Sequence, residues 1–306
     1  MVFDDISIFE EMDIDELQSY IKKPNRTKKT ITHPRTAMML NPLKLKHLNN
    51  MDNLETDIVV VNLEDGVAPK MKKRALALSA VFISNLKNSN SKIIVRVNPI
   101  NEGGREEIEF LNQVKPDVIR VAKIRDKDDV KEVLEILHPD IGLHLSIETK
   151  EALKNLTELN VDARVECVSL GVMDMLNSME LPHRVLEFDN PTLEYLLSRF
   201  LVDARIAGMY PIGFTYQDYE NLEDFQRWCK IEKRMGYSAK SCLGPKQVKI
   251  ANAIFGINEK DLQRAKYIKN CFEEMAKENI SGFLDKKYGF IDEPIYKDAL
   301  LILGQV

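Results

Sequence analysis

Asp57-Ile-Val-Val-Val-Asn-Leu-Glu-Asp-Gly66 is the stretch on which the reading of this chain turns. Ile58–Val61 is an unbroken β-branched run, too short for a buried helix. It closes on two acids and an Asp-Gly pair, which is strong turn chemistry. A strand that is aliphatic on both faces is what a parallel sheet covered on both sides requires. Working outward, the same rhythm recurs at Thr36–Leu40, Lys92–Asn98, Val118–Lys123, Ile141–Ile147, Val165–Leu170, Met209–Phe214 and Tyr237–Leu243. Between these runs lie stretches of helical length, including Lys70–Leu86, Lys127–Leu137, Pro191–Ile206 and Leu222–Met235. Strands that alternate with helices build βα units. Eight of them predict an α/β fold of the TIM type, a closed (β/α)₈ barrel. An open doubly wound sheet is the alternative, because periodicity does not fix closure.

The flanks read differently. Residues 1–30 carry a short amphipathic segment (Ile6, Phe9, Met12, Leu17, Ile21) and the basic linker Lys22–Lys29, and are expected to form an N-terminal arm outside the main fold. The barrel is assigned to 31–257 and a C-terminal helical extension to 258–306, with a helix over Glu259–Glu278 and a tail from Ser281 holding a turn and a short helix.

With 306 residues, 44% hydrophobic and 30% charged, the chain has ordinary globular composition. A net charge of −5 argues against a nucleic-acid surface, which carries a basic excess. The four cysteines (Cys167, Cys229, Cys242, Cys271) form no CxxC pair, so free thiols in a reducing compartment are expected rather than a disulfide frame or a zinc site. Met1–Glu16 is acidic and lacks the apolar core of a secretory signal, and no run approaches the roughly 18 apolar residues of a membrane span. A cytoplasmic protein without membrane or nucleic-acid partners is expected.

Barrel enzymes place their chemistry at the C-terminal strand ends. Here those ends read Asn62-Leu-Glu-Asp-Gly66, Arg96-Val-Asn98, Lys123, Glu148-Thr149 and Gly171-Val-Met-Asp174, followed by Tyr216 and Lys240. Glu148 and Asp174 close consecutive strands, so a barrel sets two carboxylates side by side, a donor set that suits the hard, octahedral Mg²⁺ ion. Taken singly, each has a plainer reading: an acid in a first helical turn, and a turn residue. Arg96 stands between two valines on a buried strand, where an arginine needs an anion. That anion is either Glu64 or Asp65 of the neighbouring strand, or a substrate carboxylate gripped by the guanidinium fork. The Asn101–Arg105 loop with its Gly-Gly is read as a loop only, and the five histidines show no ligand spacing.

In order along the chain, Arg35-Thr36, Leu63-Glu-Asp-Gly-Val67 with Lys70 and Lys73-Arg74, Arg96-Val-Asn98, Lys123, Ile147-Glu-Thr149, Gly171-Val-Met-Asp174, Lys240 with Pro245-Lys-Gln-Val248, and Phe290-Ile-Asp-Glu-Pro294 resemble the HpcH/HpaI aldolase superfamily, in its citrate lyase β-subunit and malyl-CoA lyase branch. The resemblance implies a Mg²⁺-dependent barrel, a trimer or dimer of trimers, that makes or breaks a carbon–carbon bond in a 3-hydroxyacyl-CoA or a related hydroxy-dicarboxylate. It makes Glu148 and Asp174 the metal ligands and Arg96 a catalytic and substrate-binding residue. Arg35, Glu64 and Asp65 join the substrate-binding set. Asp292 becomes the acid/base, carried by an extension that packs on a neighbouring subunit. The partners implied are an oxo acid and acyl-CoA. Asn41-Pro42 stands where the family carries Pro-Gly, and Leu243-Gly-Pro245 where it carries Ile-His-Pro, both near the expected coenzyme A entrance. Two further readings therefore stay open: a coenzyme A-independent aldolase for hydroxy-oxo acids, and a catalytically silent barrel acting as a partner subunit.

Overall fold

The structure, a computed structural model, describes residues 1–304. After α1 (Ile14–Ser19), the chain runs β1 (Thr36–Leu40), α2 (Leu45–Asn49), β2 (Ile58–Asn62), α3 (Lys72–Asn85), β3 (Lys92–Val97), α4 (Arg105–Leu111), β4 (Val118–Val121), α5 (Lys127–Ile136), β5 (Gly142–Ile147), α6 (Lys150–Asn155), β6 (Val165–Leu170) and α7 (Val172–Ser178). It continues through α8 (Pro191–Ile206), β7 (Tyr210–Ile212), α9 (Leu222–Met235), β8 (Lys240–Cys242), α10 (Pro245–Phe255), α11 (Glu259–Lys277), β9 (Gly282–Asp285), β10 (Gly289–Asp292) and α12 (Glu293–Leu303). Two compact units divide it, Met1–Ile254 and the part from Phe255 onward. Among the described residues no helix is long and apolar enough to cross a membrane.

In the first unit eight strands run parallel in the order β7-β6-β5-β4-β3-β2-β1-β8. A parallel bridge between Gly213, one residue past β7, and Lys240 brings the two ends of this sheet together. The bridge consists of the Gly213 N–H donating to the Ala239 carbonyl (2.9 Å) and the Ser241 N–H donating to the Gly213 carbonyl (3.2 Å). The barrel expectation is thus met. β7 and β8 are shorter than the apolar runs that announce them, since Phe214 and Tyr237 beyond their ends serve the helix layer.

The alternation of a strand sets the barrel's contents. Val60, Ile94, Val118, Cys167 and Ala239 belong to one interior apolar cluster. Two residues further along each strand stand Asn62, Arg96, Arg120, Ser169 and Ser241, which line a cavity at the C-terminal end. With a side-chain period of two, one strand supplies an apolar plug and the polar floor above it.

The first thirty residues are built into this unit. Asp13 caps α1 in a reciprocal capping box with Glu16 (2.8 and 2.9 Å). Phe9 is fully buried, edge-to-face with Phe3 (4.8 Å) and Phe82 of α3 (5.5 Å). Arg74 of α3 donates to the carbonyls of Phe9 (2.6 Å), Glu10 (2.8 Å) and Met12. In the basic linker, Arg26 is not solvated: its guanidinium lies 2.9 Å from Asp117, both buried. An amphipathic arm reads as detached from sequence because nothing local marks the surface that receives it.

The second unit pairs α11 and α12 around Ala265, Ile268, Phe272, Ile291 and Ala299, with Tyr296 stacked on Phe272 at 4.4 Å. The tail contains an antiparallel hairpin, β9–β10, where a turn alone was expected. Gly289 (φ 78°) supplies its left-handed turn residue.

Candidate active site

Arg96, at the end of β3, is held by two acids at once. Its Nη2 donates to Glu148 Oε1 at 2.5 Å and lies 2.6 Å from Glu64 Oε2, with Asp65 at 4.0 Å. Glu64 and Glu148 are both buried. The backbone around them is braced. Lys72 Nζ donates to the carbonyls of Leu63 (2.7 Å) and Glu64 (2.6 Å) and to Asn98 Oδ1 (2.8 Å). Asn62 donates to the Asp65 carbonyl (2.7 Å), and Gly66 turns the loop at φ 83°. Thr149, one residue past Glu148, caps α6 through Ala152 N–H (3.1 Å), which leaves Glu148 between strand and helix with its side chain directed inward. Lys123 adopts φ 52°, a conformation that non-glycine residues rarely hold, and its N–H faces Glu148 Oε2 at 3.3 Å. Gly171 opens α7 against Glu148. A Cβ there would meet Glu148 Cγ at 2.4 Å and Oε1 at 2.6 Å, so the glutamate occupies the space a side chain would take.

Asp174, in the first turn of α7, lines the same cavity of about 440 Å³ as Arg96, Asp65 and Glu148. It makes no hydrogen bond or ion pair among the described residues. The structure therefore brings together Arg96, Glu64, Asp65, Glu148 and Asp174, with the Lys123 ammonium 3.7 Å from Glu64. Burial raises both buried acids above the usual carboxylate range, Arg96 opposing. Glu148 is further raised by Asp174, and Glu64, raised by Glu148 and Asp65, reaches about 7. Glu64 Oε1 has no hydrogen-bond partner. Among the described residues no group of three or more His, Cys, Asp or Glu gathers as a complete ligand cage. The donors are hard oxygens with room beside them, which fits a cation that keeps its waters or takes oxygens from a ligand.

Arg35 is not part of this cluster, contrary to expectation. It precedes β1, its carbonyl accepts from Lys240 N–H (3.0 Å), and its guanidinium grips Asp57, ahead of β2, with two bonds of 2.9 Å. Both residues start strands, so the pair belongs to the opposite mouth of the barrel. Lys240 likewise opens β8 rather than closing it. Its Nζ is fully buried, 2.7 Å from Glu232 of α9 and 3.5 Å above the Phe214 ring, an ion pair in the helix layer. Asp292 caps α12, accepting from Ile295 N–H at 3.2 Å.

One residue was missed. Arg120 of β4 is buried and lines the cavity, yet its Nε and Nη2 have no hydrogen-bond partner. The signal that singles out Arg96, a lone cation in a valine-rich strand, is equally present in Val118-Ile-Arg-Val121.

Residues 35–245 match the HpcH/HpaI aldolase/citrate lyase family. This chain belongs to that family. Among the relatives of this HpcH/HpaI chain, a (3S)-malyl-CoA thioesterase from Cereibacter sphaeroides is 27% identical over 79% of this chain and 84% of the relative. The citrate lyase subunit β of Haemophilus influenzae is 26% identical over 84% and 91%. The fold is shared with the CitE protein of Mycobacterium tuberculosis, solved in complex with magnesium, acetoacetate and coenzyme A (TM-score 0.68, 15% identity, 90% of this chain and 98% of that one).

Proposed function

We propose that this protein is a Mg²⁺-dependent carbon–carbon lyase of the citrate lyase β-subunit type, acting reversibly on a 3-hydroxyacyl-CoA or a related hydroxy-dicarboxylate. The observation that carries the reading is the juxtaposition of Glu148, pinned by Arg96, with the unpaired Asp174 on one cavity wall. The magnesium in the M. tuberculosis relative and the names of the curated relatives support it.

Glu148 and Asp174 would hold the ion, and Asp65, exposed beside them, would accept from its waters. When bound, Mg²⁺ supplies Lewis-acid polarisation of an oxo-acid oxygen. The chain's own groups do the rest. Arg96 cannot swing away, since Glu64 and Glu148 hold it from two sides, so its remaining N–H groups present a fixed positive charge to a substrate oxygen or carboxylate. Glu148 is locked in turn by Arg96 and by the Lys123 N–H. Cleavage requires a base to take the hydroxyl proton as the carbon–carbon bond breaks and an acid to protonate the departing enolate. Asp292 is our candidate for that proton carrier, delivered from the second unit of a neighbouring copy in a homo-oligomer.

The test is Glu148→Gln. Mg²⁺-dependent cleavage should disappear while the circular dichroism spectrum is unchanged, and full activity in that variant or in excess chelator overturns the reading. Mixing inactive Asp292→Asn with inactive Glu148→Gln subunits should restore activity if the site is shared. No recovery despite subunit exchange returns Asp292 to a helix cap. The thioesterase relatives favour a second reading, hydrolysis of the thioester. Release of free thiol without an oxo acid would favour it over cleavage.

A further inference from the structure

Arg120 poses an energetic problem that nothing in the chain resolves. Its side chain is fully enclosed near the C-terminal end of β4. Arg96 stands beside it in register on β3, but the two acids within reach of Arg96 bond to Arg96. Nε and Nη2 of Arg120 have no hydrogen-bond partner. Burial lowers its pKa only to about 10, so at neutral pH it remains a cation. An unpaired buried charge costs several kcal/mol, and a chain retains one where something binds it. Replacement by an aliphatic residue would fill the same volume at no such cost.

The surroundings say what kind of partner would fit. Ser169, on β6, also lines the cavity, and its buried Oγ likewise has no hydrogen-bond partner. Ser146 and Ser241 complete a floor of hydroxyls with no carboxylate of its own. The acids, Asp65, Glu148 and Asp174, line the same cavity from loop or helix positions past their strands' ends. The cavity thus has two polar parts: Arg96 with the acids that hold or flank it, and beside it an unpaired guanidinium with hydroxyl donors.

We infer that Arg120 and Ser169 form a floor subsite for a second carboxylate of the substrate, so that the oxo-acid half is a compact dicarboxylate rather than a monocarboxylate. This deepens the lyase reading and rests on it for the first carboxylate, which lies beside Arg96, Glu148 and Asp174. A guanidinium fork matches a carboxylate with two parallel N–H bonds, and the hydroxyl of Ser169 supplies a further donor. A cavity of about 440 Å³ admits such a small diacid.

Pyruvate and oxaloacetate differ by one carboxylate and serve as probes. Binding of each to the Mg²⁺-loaded protein is measured by calorimetry on fresh solutions, for the wild type, Arg120→Met, Arg120→Lys and Ser169→Ala. The wild type should bind oxaloacetate at least about tenfold more tightly than pyruvate. Arg120→Met should remove that preference with pyruvate affinity held within about threefold, Arg120→Lys should recover part of it, and Ser169→Ala should reduce it. Arg120→Met should also melt no lower than the wild type, since it removes a charge that has no partner in the chain. Equal affinity of the wild type for the two probes overturns the floor subsite alone, as does an equal loss for both in Arg120→Met. Oxaloacetate binding that ignores Mg²⁺ but is lost in Arg120→Met keeps the subsite and overturns the metal reading. Failure of the wild type to bind either probe overturns both. Should Arg120→Met not fold, Arg120→Lys and Ser169→Ala carry the same comparison.

Discussion

Single atoms decide the geometry around Glu148. Gly171 is required by contact, not by backbone angle, because any Cβ intrudes on the glutamate's Cγ and Oε1. Gly171→Ala should therefore leave the fold intact and push Glu148 from its place. Mg²⁺ affinity should fall at least about tenfold, the scale seen when the support of a metal ligand is disturbed. Calorimetry with Mg²⁺ checks this, and unchanged affinity would mean that Glu148 is not a ligand. Arg96→Lys keeps the charge and loses the fork that touches Glu64 and Glu148 together. A loss of about 2–4 kcal/mol in transition-state stabilisation is expected, read as kcat/KM on whichever substrate is turned over. Arg96 was legible because a lone arginine in an aliphatic strand demands an anion. Arg120 carried the same signal and stands one residue before the end of β4, as Arg96 does in β3, but the run continues through Val121 and Ala122 to Lys123, so the sequence shows its polar end three residues later. Arg35 and Lys240 misled for the converse reason: sequence locates a cation near a strand without telling which mouth of the barrel it serves.

At the level of elements, the bounds of β1, β6, α8 and α9 could be read to the residue. Each is delimited by its own chemistry, as in Asn190 and Asn221, whose side chains cap α8 and α9 through Leu193 N–H (3.2 Å) and Asp224 N–H (3.1 Å). Elements defined by partners were harder. The β9–β10 hairpin is four residues a side and polar-flanked, below what alternation reveals. The arm gives no local hint that α3 receives it. That docking has a measurable consequence: Phe9→Ala opens the Phe3–Phe9–Phe82 cluster and should cost about 3–5 kcal/mol in urea unfolding, as for a buried core phenylalanine. A cost below about 1 kcal/mol would mean that polar contacts, such as those of Arg74 and Asn49, hold the arm rather than its aromatic cluster.

Over the whole molecule, the barrel interior couples folding to pH through His144. Burial holds its imidazole at about 4, against an ordinary 6.5, with Arg120 and Lys92 acting in the same direction and Glu166 (3.7 Å) opposing. The folded state therefore refuses a proton that the unfolded chain accepts, so the contribution of His144 is intact above 6.5 and drains away as pH falls from about 6.5 to 4. The loss over that window is about 3 kcal/mol. Glu64, whose folded carboxyl is raised to about 7, contributes with the opposite sign over much of this window, so the measure is the difference between two proteins. Between pH 6.5 and 4, His144→Leu should lose about this much less stability than the wild type in denaturant unfolding, and no difference would assign the proton uptake elsewhere.

The ring of strands has an asymmetric clasp. Seven neighbouring pairs are stitched by continuous ladders, the β5–β6 one with a register shift at Leu143/His144, whereas among the described residues β7 and β8 meet only through Gly213. Gly213 itself has no room for a methyl group, because the Glu232 carboxylate would lie 2.6 Å from its Cβ. Amide hydrogen exchange should find this place before any other in the barrel: the Gly213 and Ser241 amides should exchange through a partial opening that leaves the β2–β3 ladder closed. Removing the Glu232 charge with Glu232→Gln leaves the Lys240 ammonium stranded behind the clasp and should widen that difference, so that the barrel breathes as a hoop hinged opposite its join rather than swelling evenly.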